Sequence, residues 1–199
     1  MDKKKEEQLE KLFNKYGVIS KELVKLDKTF LNIESYKIKL NLNKTIYRDK
    51  LVKNRGNGSA CVIVPLLEND DLLMVVQPRV FSKRGVLLDF PSGYIESEED
   101  ATQAALRELE EETGYKANKM LHLASYYQDE GVSDSIVHLF LATELSKVKE
   151  LNLDQDEYLE PMIVNFSDLD ELINKEYIKS GGSQLAIAKV KLLRSEGKC

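Results

Sequence analysis

Between Gly93 and Tyr115 the chain reads GYIESEEDATQAALRELEEETGY, and its glutamates recur at a spacing that sets several of them on one side of a helix. From Asp100 to Thr113 there is no Pro or Gly, Asp100 is a suitable N-cap, and Gly114 stands where a left-handed residue ends a helix. At roughly 100° per residue, Ala101, Ala104 and Ala105 share the face that a surface helix buries, and Glu108 and Glu112 continue that stripe. Glu111 lies beside them, one turn on from Glu108, whereas Glu110 points nearly opposite, toward water. Carboxylates crowded on an inward stripe repel one another and lose hydration, a cost on the order of several kcal/mol. A hard divalent cation removes that cost. Oxygen-only donors favour Mg²⁺ or Mn²⁺ over zinc, and Mg²⁺ held by one or two carboxylates keeps positions for water and substrate phosphates. A solvated acidic helix is the plainer reading of a Glu-rich run; the alanine stripe leading into these glutamates favours the inward one.

The elements that must position this helix are legible in outline. Lys4 to Tyr16 has Leu9, Leu12, Phe13 and Tyr16 on one side and predicts a short amphipathic helix. Residues 30–52 alternate polar and apolar, which predicts strands with a turn near Asn43. Ala60 to Leu67 and Leu72 to Gln77 are apolar runs joined by Glu68-Asn69-Asp70-Asp71, a hairpin signal, and Val86 to Phe90 leads into Pro91-Ser92-Gly93. After the acidic helix, Met120 to Tyr127, Ile136 to Thr143 and Glu160 to Asn165 read as strands. Ser167 with Asp170 is expected to cap a helix over Leu169 to Asn174, and Ser183 to start a last helix from Gln184 to Leu193. Strands, a helix, more strands and terminal helices together predict an α/β sandwich.

A chain of 199 residues with 42% hydrophobic content can bury one substantial core and a small appendage. The start, MDKKKEEQLEKLF, mixes both charges and lacks a signal-peptide apolar core, and no segment approaches the length of a membrane span, so a cytoplasmic location without membrane contact is expected. Cys61 lies in an apolar run and Cys199 is the last residue, which argues against a disulfide framework; with His122 and His138 they offer no zinc-finger spacing. Charge is split: residues 1–55 carry 15 Lys+Arg against 8 Asp+Glu, and the remainder 14 against 26. The basic part intersperses lysines with acids and carries no aromatic-plus-basic motif, so nucleic acid is not the expected partner.

Gly93, Glu99, Arg107, Glu108, Leu109, Glu111, Glu112, Gly114 and Tyr115 resemble the signature of the Nudix hydrolase family. The resemblance covers roughly residues 59–193 and implies a Nudix-type α/β/α sandwich with a mixed β-sheet, preceded here by a small N-terminal helix and β-strand region. Residues 1–55 form that region and residues 56–199 the catalytic domain. Gln77-Pro78-Arg79, Asp89-Phe90-Pro91-Ser92-Gly93 and Gly131-Val132-Ser133-Asp134 look like the subgroup that hydrolyses ADP-ribose and nucleotide sugars. Glu130 stands where that subgroup usually has proline, and Asp89 where it has glutamate.

The resemblance implies Mg²⁺-dependent hydrolysis of a nucleoside diphosphate linked to another group, with Mn²⁺ as a substitute cation. It implies metal ligands at Glu108, Glu111, Glu112 and the Ser92 carbonyl, and catalytic roles among Glu111, Glu157 and Arg107. Arg107 and Glu99 are expected to hold loop and helix together. The general base is left open, with Glu157 aligning best in the loop Asp154-Gln155-Asp156-Glu157. Arg79, Gln77 and Arg55 are the expected substrate-binding residues, and a homodimer through the amino-terminal strands is implied. Two alternatives keep the same signature: clearance of damaged nucleoside triphosphates, and a non-catalytic nucleotide-sugar sensor.

Overall fold

The computed structural model describes residues 1–22, 30–41, 44–53, 58–153 and 157–198. Helix α1 (Lys3–Lys15) is followed by β1 (Leu31–Lys39) and β2 (Thr45–Lys53), an antiparallel pair in continuous register from Leu31 opposite Lys53 to Lys39 opposite Thr45. The expected turn residue Asn43 lies outside the described residues. Then come β3 (Ala60–Pro65), β4 (Asp71–Pro78), β5 (Val86–Asp89), β6 (Ser92–Tyr94), α2 (Ala101–Thr113), β7 (Tyr115–Tyr127), β8 (Ile136–Lys147), β9 (Glu160–Asn165), α3 (Leu169–Asn174) and α4 (Gly181–Ser195).

Two further sheets build the body. One is mixed, in the order β6-β3-β8-β7, with β3 and β8 parallel; the other is antiparallel, in the order β5-β4-β9. The mixed sheet is covered on both faces. Cys61, Ile63, Phe140 and Ala142 pack against Ala104, Ala105 and Leu109 of α2, while Val62, Val64, Leu139 and Leu141 share a core with Met74 and Val76 of β4 and with Ile187 and Val190 of α4. This is the expected α/β class, with alternate residues of β3 and β8 feeding opposite layers. Leu9, Leu12 and Phe13 bring α1 into the larger core, against β4.

Three local expectations are corrected. β3 and β4 do not form a hairpin but enter different sheets, with an isolated antiparallel bridge between Leu66 and Leu72 in the connection and side-chain packing between the strands. Both runs are buried almost throughout, so neither has an alternation that would fix its partner, and Asn69 and Asp70 at φ 59° and 63° swing the chain from one sheet to the other. Ser167 does not cap α3; a 3₁₀ turn over Phe166–Asp168 intervenes, with the Asn165 side chain accepting from the Ser167 N–H. Helix α4 starts earlier than expected, with Ser180 as N-cap and Gly181 and Gly182 in its first turn. Glycine there carries no side chain to clash, so it does not by itself mark a break.

Candidate active site

The acidic helix forms as its sequence demands. Asp100 accepts from the backbone N–H groups of Thr102 and Gln103, Gln103 reaches back to the Asp100 N–H, and Gly114 closes the helix at φ 74°. Its alanine face is buried against the mixed sheet, so the stripe continuing into Glu108 and Glu112 is buried too, at 4% and 2% exposure.

Glu157, in the segment leading into β9, completes a cluster. One carboxylate oxygen from each of Glu108, Glu112 and Glu157 lies within 4.8 Å of the other two. They line a cleft of about 390 Å³ whose other walls include Gln77, Arg79, Ser92 and Tyr158. Burial pushes the Glu108 carboxyl up to about 7, and burial together with the neighbouring Glu108 lifts Glu112 well above the usual carboxylate range. The donor set is carboxylate oxygen alone and two of its members are nearly dry, which fits a hard divalent cation.

Arg107 organises one side of this cluster. Its Nε and Nη2 donate to the two oxygens of Glu99, each at 3.0 Å, and Nη2 also donates to the Tyr94 carbonyl at 3.0 Å. Its Nη1 donates to Glu108 at 2.8 Å and to Glu111 at 3.0 Å. The guanidinium therefore ties the loop at Glu99 and the end of β6 to α2, the structural role expected of the Glu99 pair. Glu111 faces Arg107, and the cluster of closest oxygens contains Glu157 in its place.

On the other side, the Ser92 N–H donates to Glu112 Oε2 at 2.9 Å. Gly93, next along β6, lies directly under the Glu108 carboxylate. Arg79 follows β4 and is held through its Nε by the buried Asp89 at 3.0 Å, and Asp89 also accepts from Ser180 at 2.5 Å and Ser183 at 3.3 Å. The Asp89, Ser180 and Ser183 network escaped the sequence reading because its members sit about 90 positions apart in the chain. Arg79 also borders a second cavity of about 400 Å³, which shares Ser92, Gly93 and Tyr94 with the first and extends to Tyr126, Gln128 and the start of α4. Strand alternation sends Tyr126 toward this cavity and leaves Tyr127 exposed. Arg55 and residues 154–156 lie outside the described residues.

A mixed sheet between helices, with a buried carboxylate cluster on the inward side of α2, is an α/β sandwich carrying a candidate metal site. Residues 57–183 match the NUDIX domain family, and the chain belongs to it as a Nudix hydrolase. It is 35% identical over 144 residues, 72% of this chain and 76% of the relative, to the ADP-ribose pyrophosphatase of Bacillus subtilis (strain 168). Over the same length and coverage it is 30% identical to the methanol dehydrogenase activator of Bacillus methanolicus. A crystal structure of an ADP compounds hydrolase shares the fold, with a TM-score of 0.74 at 22% identity, covering 90% of this chain and 100% of that one. Among the described residues, no helix is long and apolar enough to cross a membrane.

Proposed function

We propose that the protein is a cytoplasmic, Mg²⁺-dependent pyrophosphatase of nucleoside diphosphates joined to a second group, ADP-ribose or a related nucleotide sugar, yielding nucleoside monophosphate and sugar phosphate. The observation that carries this reading is the trio of carboxylate oxygens from Glu108, Glu112 and Glu157, within 4.8 Å of one another in a cleft. A bound divalent ion supplies charge neutralisation at the diphosphate and lowers the pKa of water, with Mn²⁺ as a substitute. Glu108 and Glu112, fixed by Arg107 and the Ser92 N–H, are its principal ligands; the Ser92 carbonyl and Glu111 are the further ones. Glu157 comes from a different element than the other two carboxylates and takes the role of general base. Arg79, with its Nε committed to Asp89, presents the rest of its guanidinium to the phosphates.

The two adjoining cavities favour a two-ended substrate over a nucleoside triphosphate. The acidic cleft and the Tyr126 cavity share Arg79 and the end of β6, so a ligand with a diphosphate between two organic ends spans both. The names of the Bacillus subtilis relative and of the mouse ADP-sugar pyrophosphatase, 34% identical over 99 residues, point to the same substrate class. The test is a Mg²⁺ assay over ADP-ribose, other nucleotide sugars and oxidised triphosphates. Release of nucleoside monophosphate with sugar phosphate supports the proposal; inorganic pyrophosphate from triphosphates would favour the clearance reading, and tight binding without turnover a sensor.

A homodimer through β1 and β2 belongs to the same proposal. This pair leaves Ile33 72% and Tyr47 68% exposed, an apolar surface that a second subunit would cover. Sedimentation at micromolar concentration is expected to give a dimer, and Ile33→Glu a monomer.

A further inference from the structure

His122 of β7 and His138 of β8 lie outside the lining of both cavities and point at one oxygen: Ser125 Oγ is 2.8 Å from His122 Nε2 and 2.9 Å from His138 Nδ1. Strand geometry explains the meeting. Ser125 stands opposite His138 in the β7–β8 ladder, and His122 stands opposite Phe140, which shares the His138 face. Residues three apart on a regular strand face opposite ways, so His122 and Ser125 join one face only because the register shifts between His122 and Ala124. Leu123 and Ala124 at that irregularity both pack on the large core, and the two polar residues are left together on the other side.

The rings are held yet reachable. His122 stands edge-on to the buried Phe140, with centroids 5.4 Å apart, and its centroid is 6.0 Å from that of His138. His122 is exposed and His138 half-buried. Loss of hydration and the facing His122 lower the pKa of His138, which favours the uncharged ring that a metal requires. A serine hydroxyl has one proton to give, so it donates to one of these nitrogens and has to accept from the other. A cation at the same point would use the lone pair of both.

We infer that His122 Nε2 and His138 Nδ1 form a second metal site, separate from the carboxylate cluster and suited to a borderline divalent ion such as Zn²⁺, with water in the remaining positions. Imidazole nitrogen suits Zn²⁺, Ni²⁺ and Cu²⁺ as carboxylate oxygen suits Mg²⁺ and Mn²⁺, so the two sites sort cations by donor chemistry. Zn–N bonds of about 2.0–2.1 Å draw the two nitrogens toward the point that Ser125 Oγ holds, and rotation of that exposed side chain clears it.

The test uses the untagged full chain in excess Mg²⁺, which engages oxygen donors and not imidazoles, with Zn²⁺ as the titrated probe. Calorimetry should find a Zn²⁺ site that His122→Ala and His138→Ala each weaken at least about tenfold, because chelation needs both rings. Zn²⁺ at about a hundredfold excess over its dissociation constant should raise the melting temperature by about 5–10 °C in the wild type and in Ser125→Ala, and by much less in either histidine variant. Glu112→Gln, which disables the carboxylate cluster, should keep the site. Wild-type affinity in either histidine variant overturns the inference, as does a wild type that takes up no Zn²⁺ beside Mg²⁺. Loss of the site in Glu112→Gln places the ion among the carboxylates, and loss in Ser125→Ala makes the hydroxyl a required ligand; both outcomes overturn the two-ring assignment.

Discussion

Gly93 and Glu108 compete for one volume: a Cβ on Gly93 would lie 1.9 Å from Oε1 of Glu108 and 2.0 Å from its Cδ. Gly93 does not adopt a positive φ, so close approach and not backbone conformation requires it. The first glycine of the motif and its first helical glutamate are therefore two halves of one contact. Gly93→Ala should displace the Glu108 carboxylate and cut kcat/KM by about a hundredfold, the usual cost of misplacing a reacting group by an ångström. The added methyl should also destabilise the fold by about 1–3 kcal/mol. Steady-state kinetics in Mg²⁺ and urea unfolding check the two effects, and full activity would show that Glu108 is free to move.

Glu112 is nearly as buried as any residue in the chain and its partner is a backbone N–H. Glu112→Gln keeps that acceptor and replaces a carboxyl that burial already biases toward its uncharged form, so the metal-free variant should melt no lower than the wild type. Turnover should fall at least about a hundredfold, in line with what positioned charge contributes at such sites. An active variant would remove Glu112 from the ligand set.

Stability should depend on pH with a definite sign. Burial raises Glu108 from its ordinary 4.5 to about 7, so its protonated form stabilises the fold fully below the unfolded value and that contribution fades as pH rises through about 7. In EDTA, the melting temperature of the wild type should drop between about pH 4.5 and 7 relative to Glu108→Gln, which has no proton to lose there. Mg²⁺ competes with the proton, so the rise in melting temperature it produces should grow across the same window. Parallel curves for wild type and variant would contradict this.

Arg107 holds Glu99, Glu108, Glu111 and the Tyr94 carbonyl from one planar group. Its removal in Arg107→Met leaves partly buried carboxylates unpaired and should cost about 2–4 kcal/mol in urea unfolding. Arg107→Lys should recover only a minor part, because an ammonium cannot reproduce the fork. Near-complete rescue by lysine would reduce Arg107 to a simple counter-charge.

The second cavity offers a separate measurement. Asp89 fixes Arg79 through one nitrogen and the start of α4 through two hydroxyls. Asp89→Asn weakens the charged bond while keeping the shape, so KM for ADP-ribose should rise several-fold with kcat less affected. An unchanged KM would place Arg79 outside the substrate contacts.

The sequence by itself determined the acidic helix, its cap at Asp100, its stop at Gly114 and the inward face shared by alanines and glutamates. All of these are set within a few residues by local geometry, and the same short-range code carried the family signature. Which carboxylates meet was decided by tertiary structure. Glu157 joins Glu108 and Glu112 from a distant segment, while Glu111, a sequence neighbour, faces Arg107. The separation of β3 from β4 into different sheets and the reach of Asp89 to Ser180 and Ser183 belong to the same category. Periodicity tells which side of an element is buried, but not which other element buries it; that choice is made by the packing of the whole core.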